Sequence, residues 1–255
     1  MIKAGALSFE GVRYSMRPKL AFILFPLSLL GAIQPPPEKT TTEHVNFAPG
    51  GTIHITGSYG DLNVEGWDRP EVEVTVIKTL PYASKPKPPE QSTATLDQVR
   101  IVTEHKSSPE LTISTELPSR HPAWIPPFTR HTTHGVMAEY EIHVPRNSRL
   151  VIQHSTGSVS VNGVAGDIDA SVGRGDILLW LLPGSYDLDA RTKFGIVSSD
   201  LDGSAHNKYL IGESFTQPSP APAHRLHLRM GFGGITLKKI LPESQPPAAP
   251  YSPSL

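Results

Sequence analysis

Seven aspartates in the second half of the chain are the first residues to consider for chemistry: Asp167, Asp169, Asp176, Asp187, Asp189, Asp200 and Asp202. On a ladder of stacked strands, outward residues at equivalent positions come into register, so Asp167 and Asp187 are expected in neighbouring coils on one face. Clustered carboxylates can bind Ca²⁺, or act as general acid and base in glycoside cleavage. The calcium-binding nonapeptide repeat, however, needs Gly-Gly-x-Gly-x-Asp, and here only Gly-Asp recurs. Solvated turn and outer-face aspartates account for the same spacing, and that is the reading we prefer.

A second candidate group comprises His121, His131 and His134, close to Trp124 and Phe128 in a proline-rich stretch. The imidazoles of His131-Thr-Thr-His134 could share a metal if the loop curled, but no third ligand is well placed. An exposed loop is the simpler reading, with Trp124, Phe128, His131 and His134 kept as candidate ligand-binding residues and no metal or cofactor expected. His143, His154 and His227 read as outward positions on alternating strands. Trp67, Trp124, Phe128 and Trp180 could make a sugar-stacking platform, although aromatic residues more often fill cores or anchor loops. No Gly-x-Ser-x-Gly, phosphate-cradling loop or dinucleotide fingerprint occurs, so no catalytic residue is assigned.

The elements that must position these groups follow a glycine rhythm. Gly157, Gly166, Gly175 and Gly184 are nine residues apart, and Gly195 follows after eleven. Between them apolar residues alternate (Val159 and Val161; Ile168, Ala170 and Val172; Ile177 and Leu179; Leu188 and Ala190), the period of a strand with one buried face. Short strands separated by glycine turns at a fixed step predict an all-β fold of the β-solenoid or single-stranded β-helix type. In such a fold each unit stacks on the next to bury its apolar face. Gly51 and Gly60 repeat the nine-residue step near the N-terminus, with Ile53, Ile55, Leu62 and Val64 inward. Glu71 to Lys78 alternates as a longer strand, and Val99 to His105 with Leu111 to Glu116 reads as an antiparallel pair.

Composition restricts the function. The 255-residue chain has a formal net charge of −1, which gives no field to attract nucleic acid, and no cysteine, which excludes disulfides, thiolate metal sites and cysteine nucleophiles. Its 26 prolines exclude long helices. Arg17-Pro-Lys19 precedes an apolar run, Leu20 to Leu30, of the size of a secretory signal core, with Met16 as the expected start and cleavage near Ala32. The expected organisation is a signal peptide at 1–34, an N-terminal β module at 44–116, a proline-rich loop at 117–136, a C-terminal β-solenoid module at 137–241 and a disordered tail at 242–255. Glu38 to Glu43 is expected as a mobile lead-in, and Pro81 to Thr95 as an exposed loop.

Tyr140-Glu-Ile-His-Val-Pro-Arg-Asn-Ser-Arg-Leu-Val-Ile152, then Ser155 to Ala170 and Gly175-Asp-Ile-Leu-Leu179, resembles the DUF4097 group of bacterial β-strand-repeat proteins. Gly51 to Val76, with Gly66-Trp-Asp-Arg-Pro-Glu71, is similar to the opening module of that group, whose members are usually labelled adhesins. The resemblance covers about Phe47 to Ile240 and contains no catalytic signature. It implies a cell-envelope location and a fold more than an activity. The expected role is a non-catalytic secreted or cell-envelope scaffold in the periplasm, envelope or extracellular space. Its partner would be envelope polysaccharide or protein, with the membrane touched only through an uncleaved signal. The alternatives are a small polysaccharide-active enzyme using outward aspartates, or a periplasmic regulatory partner.

Overall fold

The computed structural model describes residues 38–80, 94, 96, 97, 99–107, 109–116, 136–208 and 211–240. The signal peptide, the start at Met16, most of the Pro81 to Thr95 loop, the 117–136 loop except Val136, and the 242–255 tail lie outside the described residues. The described residues belong to one compact unit.

In the first half of the chain the strands are β1 (Glu38–Asn46), β2 (Thr52–Tyr59), β3 (Leu62–Trp67), β4 (Glu71–Thr79), β5 (Arg100–Ser107) and β6 (Glu110–Glu116). Next come β7 (Met137–Pro145), β8 (Arg149–Thr156), β9 (Val159–Asn162), β10 (Ile168–Arg174), β11 (Ile177–Leu181) and β12 (Tyr186–Phe194). The last are β13 (Val197–Ser199), β14 (Ser204–Lys208), β15 (Gly212–Gln217), β16 (His224–Phe232) and β17 (Ile235–Lys239). They form two open sheets: sheet A in the order β1-β4-β7-β3-β9-β11-β17-β13, and sheet B in the order β14-β15-β12-β16-β10-β8-β2-β6-β5.

The repeating unit is a rung, a strand of sheet B that turns through a glycine into a strand of sheet A. Five such rungs, β2–β3, β8–β9, β10–β11, β16–β17 and β12–β13, lie in that order, each parallel to its neighbours. Consecutive nine-residue segments therefore do not stack on each other but face each other across the core. The stacked positions are Gly157 and Gly175, eighteen residues apart. Nor does the chain wind continuously as a solenoid, because β16–β17 inserts between β10–β11 and β12–β13. Alternation shows which face a strand buries but not which strand lies beside it, so the expected coil-on-coil stacking of consecutive segments gives way to this order.

The turns explain the glycines. Gly60, Gly157, Gly175, Gly233 and Gly195 have φ of 116°, 133°, 134°, 136° and 145°, conformations that side chains rarely permit. They also touch: a Cβ on Gly157 would overlap the Gly60 carbonyl, one on Gly175 that of Gly157, one on Gly233 that of Gly175, and one on Gly195 that of Gly233. Backbone hydrogen bonds continue through the column, from Gly60 N–H to Thr156 O (3.0 Å), Gly157 N–H to Arg174 O (2.9 Å), Gly175 N–H to Phe232 O (3.0 Å) and Gly233 N–H to Phe194 O (2.9 Å).

Antiparallel strands flank the parallel core. On one side β4 and β1 extend sheet A, and β5 pairs antiparallel with β6, as the short connection between them predicted. Glu38 to Glu43 is not a loose lead-in but the first part of β1, with Glu38 opposite Thr79 and Glu43 opposite Val74. Its sequence has no period because β4 supplies the hydrogen bonds that hold it, and its exposed side chains bury little. On the other side β14 and β15 form a hairpin on β12. The main apolar core runs from Phe47 to Leu237 between the sheets and includes residues of both halves of the chain, and a separate small cluster joins Leu96, Val99 and Val136, with Leu80 packed against it.

Candidate binding face

The aspartates are dispersed by the stacking order. Arg225 stands between the Asp167 and Asp187 rungs and His227 between Asp169 and Asp189, because β16 separates β10 from β12. Asp167 and Asp187 are therefore not in neighbouring coils. Three of the turn aspartates accept backbone N–H groups from the adjoining rung: Asp61 from Ser158 (2.9 Å), Asp167 from Arg225 (2.8 Å) and Asp176 from Gly234 (2.8 Å). Asp169 pairs with His227 at 3.1 Å, and Asp189 with Arg191 at 2.8 Å and Arg229 at 2.6 Å. Burial pushes the Asp189 carboxyl up, but hydrogen bonds from Arg229 and Arg191 outweigh it and hold the group below the usual carboxylate range. These carboxylates lie at turns and on outer faces, and they tie neighbouring strands together.

Trp124, Phe128, His131 and His134 lie outside the described residues, as does His121. Of the other histidines, His143 and His227 face outward, but His154 does not. It is 4% exposed and points into the core, continuing the face of Leu150 and Ile152. A two-residue period applied to Leu150 would have placed it there. Among the described residues no group of three His, Asp or Glu side chains is arranged to hold a metal ion.

The outer face of sheet A carries the remaining candidates. One row crosses seven strands in register: His44, Glu73, His143, Glu65, Asn162, Trp180 and Lys238. The next row contains Asn63, Ser160, Leu178, Thr236 and Ser198. At the acidic end His143 lies 3.6 Å from Glu65 and 3.4 Å from Glu73, and His44 lies 3.6 Å from Glu73. Trp67 belongs to this end and is not free for a ligand. His143 stacks on it with centroids 5.0 Å apart, Arg69 lies over it at 4.8 Å, and its Nε1–H donates to Glu71 O at 2.8 Å.

Trp180 differs. It is half-buried on β11, flanked by Asn162 and Lys238, and among the described residues no side-chain hydrogen bond or aromatic partner engages its ring. Leu178, two residues earlier, shares the face. Sequence reasoning took Ile177 and Leu179 as the buried face and did not single out Leu178. The signal was the unbroken run Ile177-Leu-Leu-Trp-Leu181, because a parallel strand apolar on both sides usually has both sides covered.

No family model matches the chain, and no curated protein matches it. The DUF4097 resemblance therefore rests on its quoted residues alone. Among solved structures, similarity is found to a putative cell adhesion protein from Clostridium sporogenes, at 12% identity and a TM-score of 0.44, covering 81% of this chain and 100% of the other. A putative adhesin from Bacteroides fragilis (12% identity, TM-score 0.27) is covered over 99% of its length by 80% of this chain. A putative adhesin from Parabacteroides distasonis (12% identity, TM-score 0.23) is covered over 65% of its length by 78% of this chain. All three are named for adhesion, but with TM-scores below 0.5 they carry no argument about this chain.

Proposed function

We propose that this protein is a non-catalytic binding scaffold of the cell surface or envelope, adhesin-like in role, that holds envelope polysaccharide on the outer face of sheet A around Trp180. The observation that carries the reading is the placement of Trp180 and Leu178 on the outside of a central parallel strand, ringed by Asn162, Ser160, Thr236 and Lys238. An apolar centre with a hydroxyl, amide and amine rim suits a sugar chain, whose rings stack on an indole while its hydroxyls bond the rim. The rungs act as an interrupted β-solenoid, and the rigid register of the sheet fixes the spacing of the rows. Export through residues 1–34 belongs to the same reading.

The test is binding of the mature chain to a glycan panel and to envelope fractions, compared with Trp180→Ala. Truncating a central anchor costs roughly 2 kcal/mol, about thirtyfold in affinity. A variant that binds as tightly as the parent refutes this face as the site. Loss of binding only when residues 117–134 are deleted would move the site to that loop, and turnover of a polysaccharide by the purified protein would overturn the non-catalytic role.

A further inference from the structure

The junction between the first rung and the rest of the stack is built around one buried histidine. His154 on β8 lies opposite Gly57 on β2, and its ring occupies the room that the absent side chain leaves, since a Cβ on Gly57 would overlap Nδ1. A Cβ on Gly157 would crowd Nε2 from the other side, at 2.9 Å. Nε2 lies 2.7 Å from the carbonyl oxygen of Gly60, the turn glycine of the β2–β3 rung. The neutral ring satisfies this oxygen by carrying its proton on Nε2. Nδ1 is buried and has no hydrogen-bond partner.

We infer that His154 is an acid-sensitive latch that fastens the β2–β3 rung to the β8–β9 rung while its imidazole is neutral and loosens that junction when the ring is protonated. A second proton must go to Nδ1, which is buried and has no hydrogen-bond partner, and a charge taken out of water into an apolar core is strongly disfavoured. From β2 the ring meets glycines, and from β10 its register partner is Val172. Among the described residues the one charge that acts on it is Asp61, in the β2–β3 turn. Burial holds the imidazole below its ordinary range, while the Gly60 and Thr156 backbone oxygens and the Asp61 carboxylate pull it the other way. Because the folded state binds the proton less well than the unfolded chain, the junction is at full strength above the unfolded value of about 6.5. It weakens as the pH falls below that value towards the folded one.

Hydrogen exchange on the full chain, corrected for the intrinsic pH dependence of exchange, tests the latch. Between pH 7.5 and 5.0 the amides of Gly60 and Leu62, which bond Thr156 O and Ser158 O, are expected to lose at least tenfold in protection. Those of Gly233 and Ile235, at the far end of the glycine column, are expected to keep theirs. In His154→Gln, which retains a donor for Gly60 O and does not titrate, the first pair should no longer respond to pH. Equal protection of Gly60 and Leu62 at both pH values overturns the inference, as does the same acid response in His154→Gln. If that variant fails to fold, NMR titration of the wild-type His154 imidazole decides: a midpoint at or above the ordinary value of about 6.5 refutes it.

Discussion

Replacing Gly175 by alanine tests the rung stack most directly. Gly175 sits at φ +134°, and an added Cβ would lie well inside 3.0 Å of the Gly157 carbonyl oxygen. The conformation alone costs about 1–3 kcal/mol for a residue with a side chain. Relieving the overlap requires neighbouring turns to move apart, which strains the Gly175 N–H to Phe232 O and Gly157 N–H to Arg174 O bonds of 3.0 and 2.9 Å. Each buried polar group left unpaired adds about 1–3 kcal/mol. The expected loss is therefore roughly 4 kcal/mol, a large part of the 5–15 kcal/mol typical of a domain. Two glycines separate the contributions. Gly50 has φ +87° with nothing within 4 Å of an added Cβ, so Gly50→Ala should cost only the conformational term, about 1–2 kcal/mol. At Gly184 the nearest atoms, on Tyr186, are 3.6 Å away, and Gly184→Ala should stay within about 0.5 kcal/mol of the parent. Urea unfolding gives all three from midpoint shifts at constant m. If Gly175→Ala and Gly50→Ala agree within about 0.5 kcal/mol, the turns are not packed carbonyl to Cα and the proposed stacking is refuted.

Trp180→Ala should reduce glycan affinity about thirtyfold while leaving the unfolding midpoint nearly unchanged, since the ring is half-buried on the outer face. The acid response of Gly60 and Leu62 should disappear in His154→Gln, measured by hydrogen exchange. Glu213 accepts the Val197 N–H at 2.8 Å, occupying a donor on β13, the short last strand of sheet A. Glu213→Ala should expose that edge and produce concentration-dependent association in light scattering, and a variant that stays monodisperse would show that the carboxylate does not guard it. Asp189 is held in its charged form by two arginines, so its contribution is present above the unfolded carboxylate value of about 3.9 and lost as pH falls through the lower folded value. For so exposed a network Asp189→Asn should cost no more than about 1 kcal/mol at pH 7, and the difference from wild type should shrink in acid denaturation profiles as the pH falls below about 3.9.

Local sequence determined the strands and their faces. The alternation in Ile168, Ala170 and Val172 or Val72, Val74 and Val76 shows which side is buried, because strand geometry repeats every two residues wherever the strand sits. The turn glycines were legible for a similar reason, since a tight turn at positive φ leaves few other choices. Order across the sheets was not legible. β16 occupies the place between β10 and β12, and nothing in Leu226, Leu228 and Met230 distinguishes that place from any other in the stack. That single insertion separates Asp167 from Asp187 and converts a supposed acidic cluster into cross-rung ties. Tertiary structure also gave β1 its strand, through hydrogen bonds with β4 that its own sequence does not announce. It decided the fates of Trp67 and Trp180 as well: the sequence leaves both open between a sugar platform and a core or loop anchor, but pairing with β7 brings His143 onto the first, while pairing with β9 and β17 leaves the second ringed by polar groups. Periodicity along a strand is a local property of the chain, whereas the neighbour across the hydrogen bonds is chosen by how all the rungs pack together.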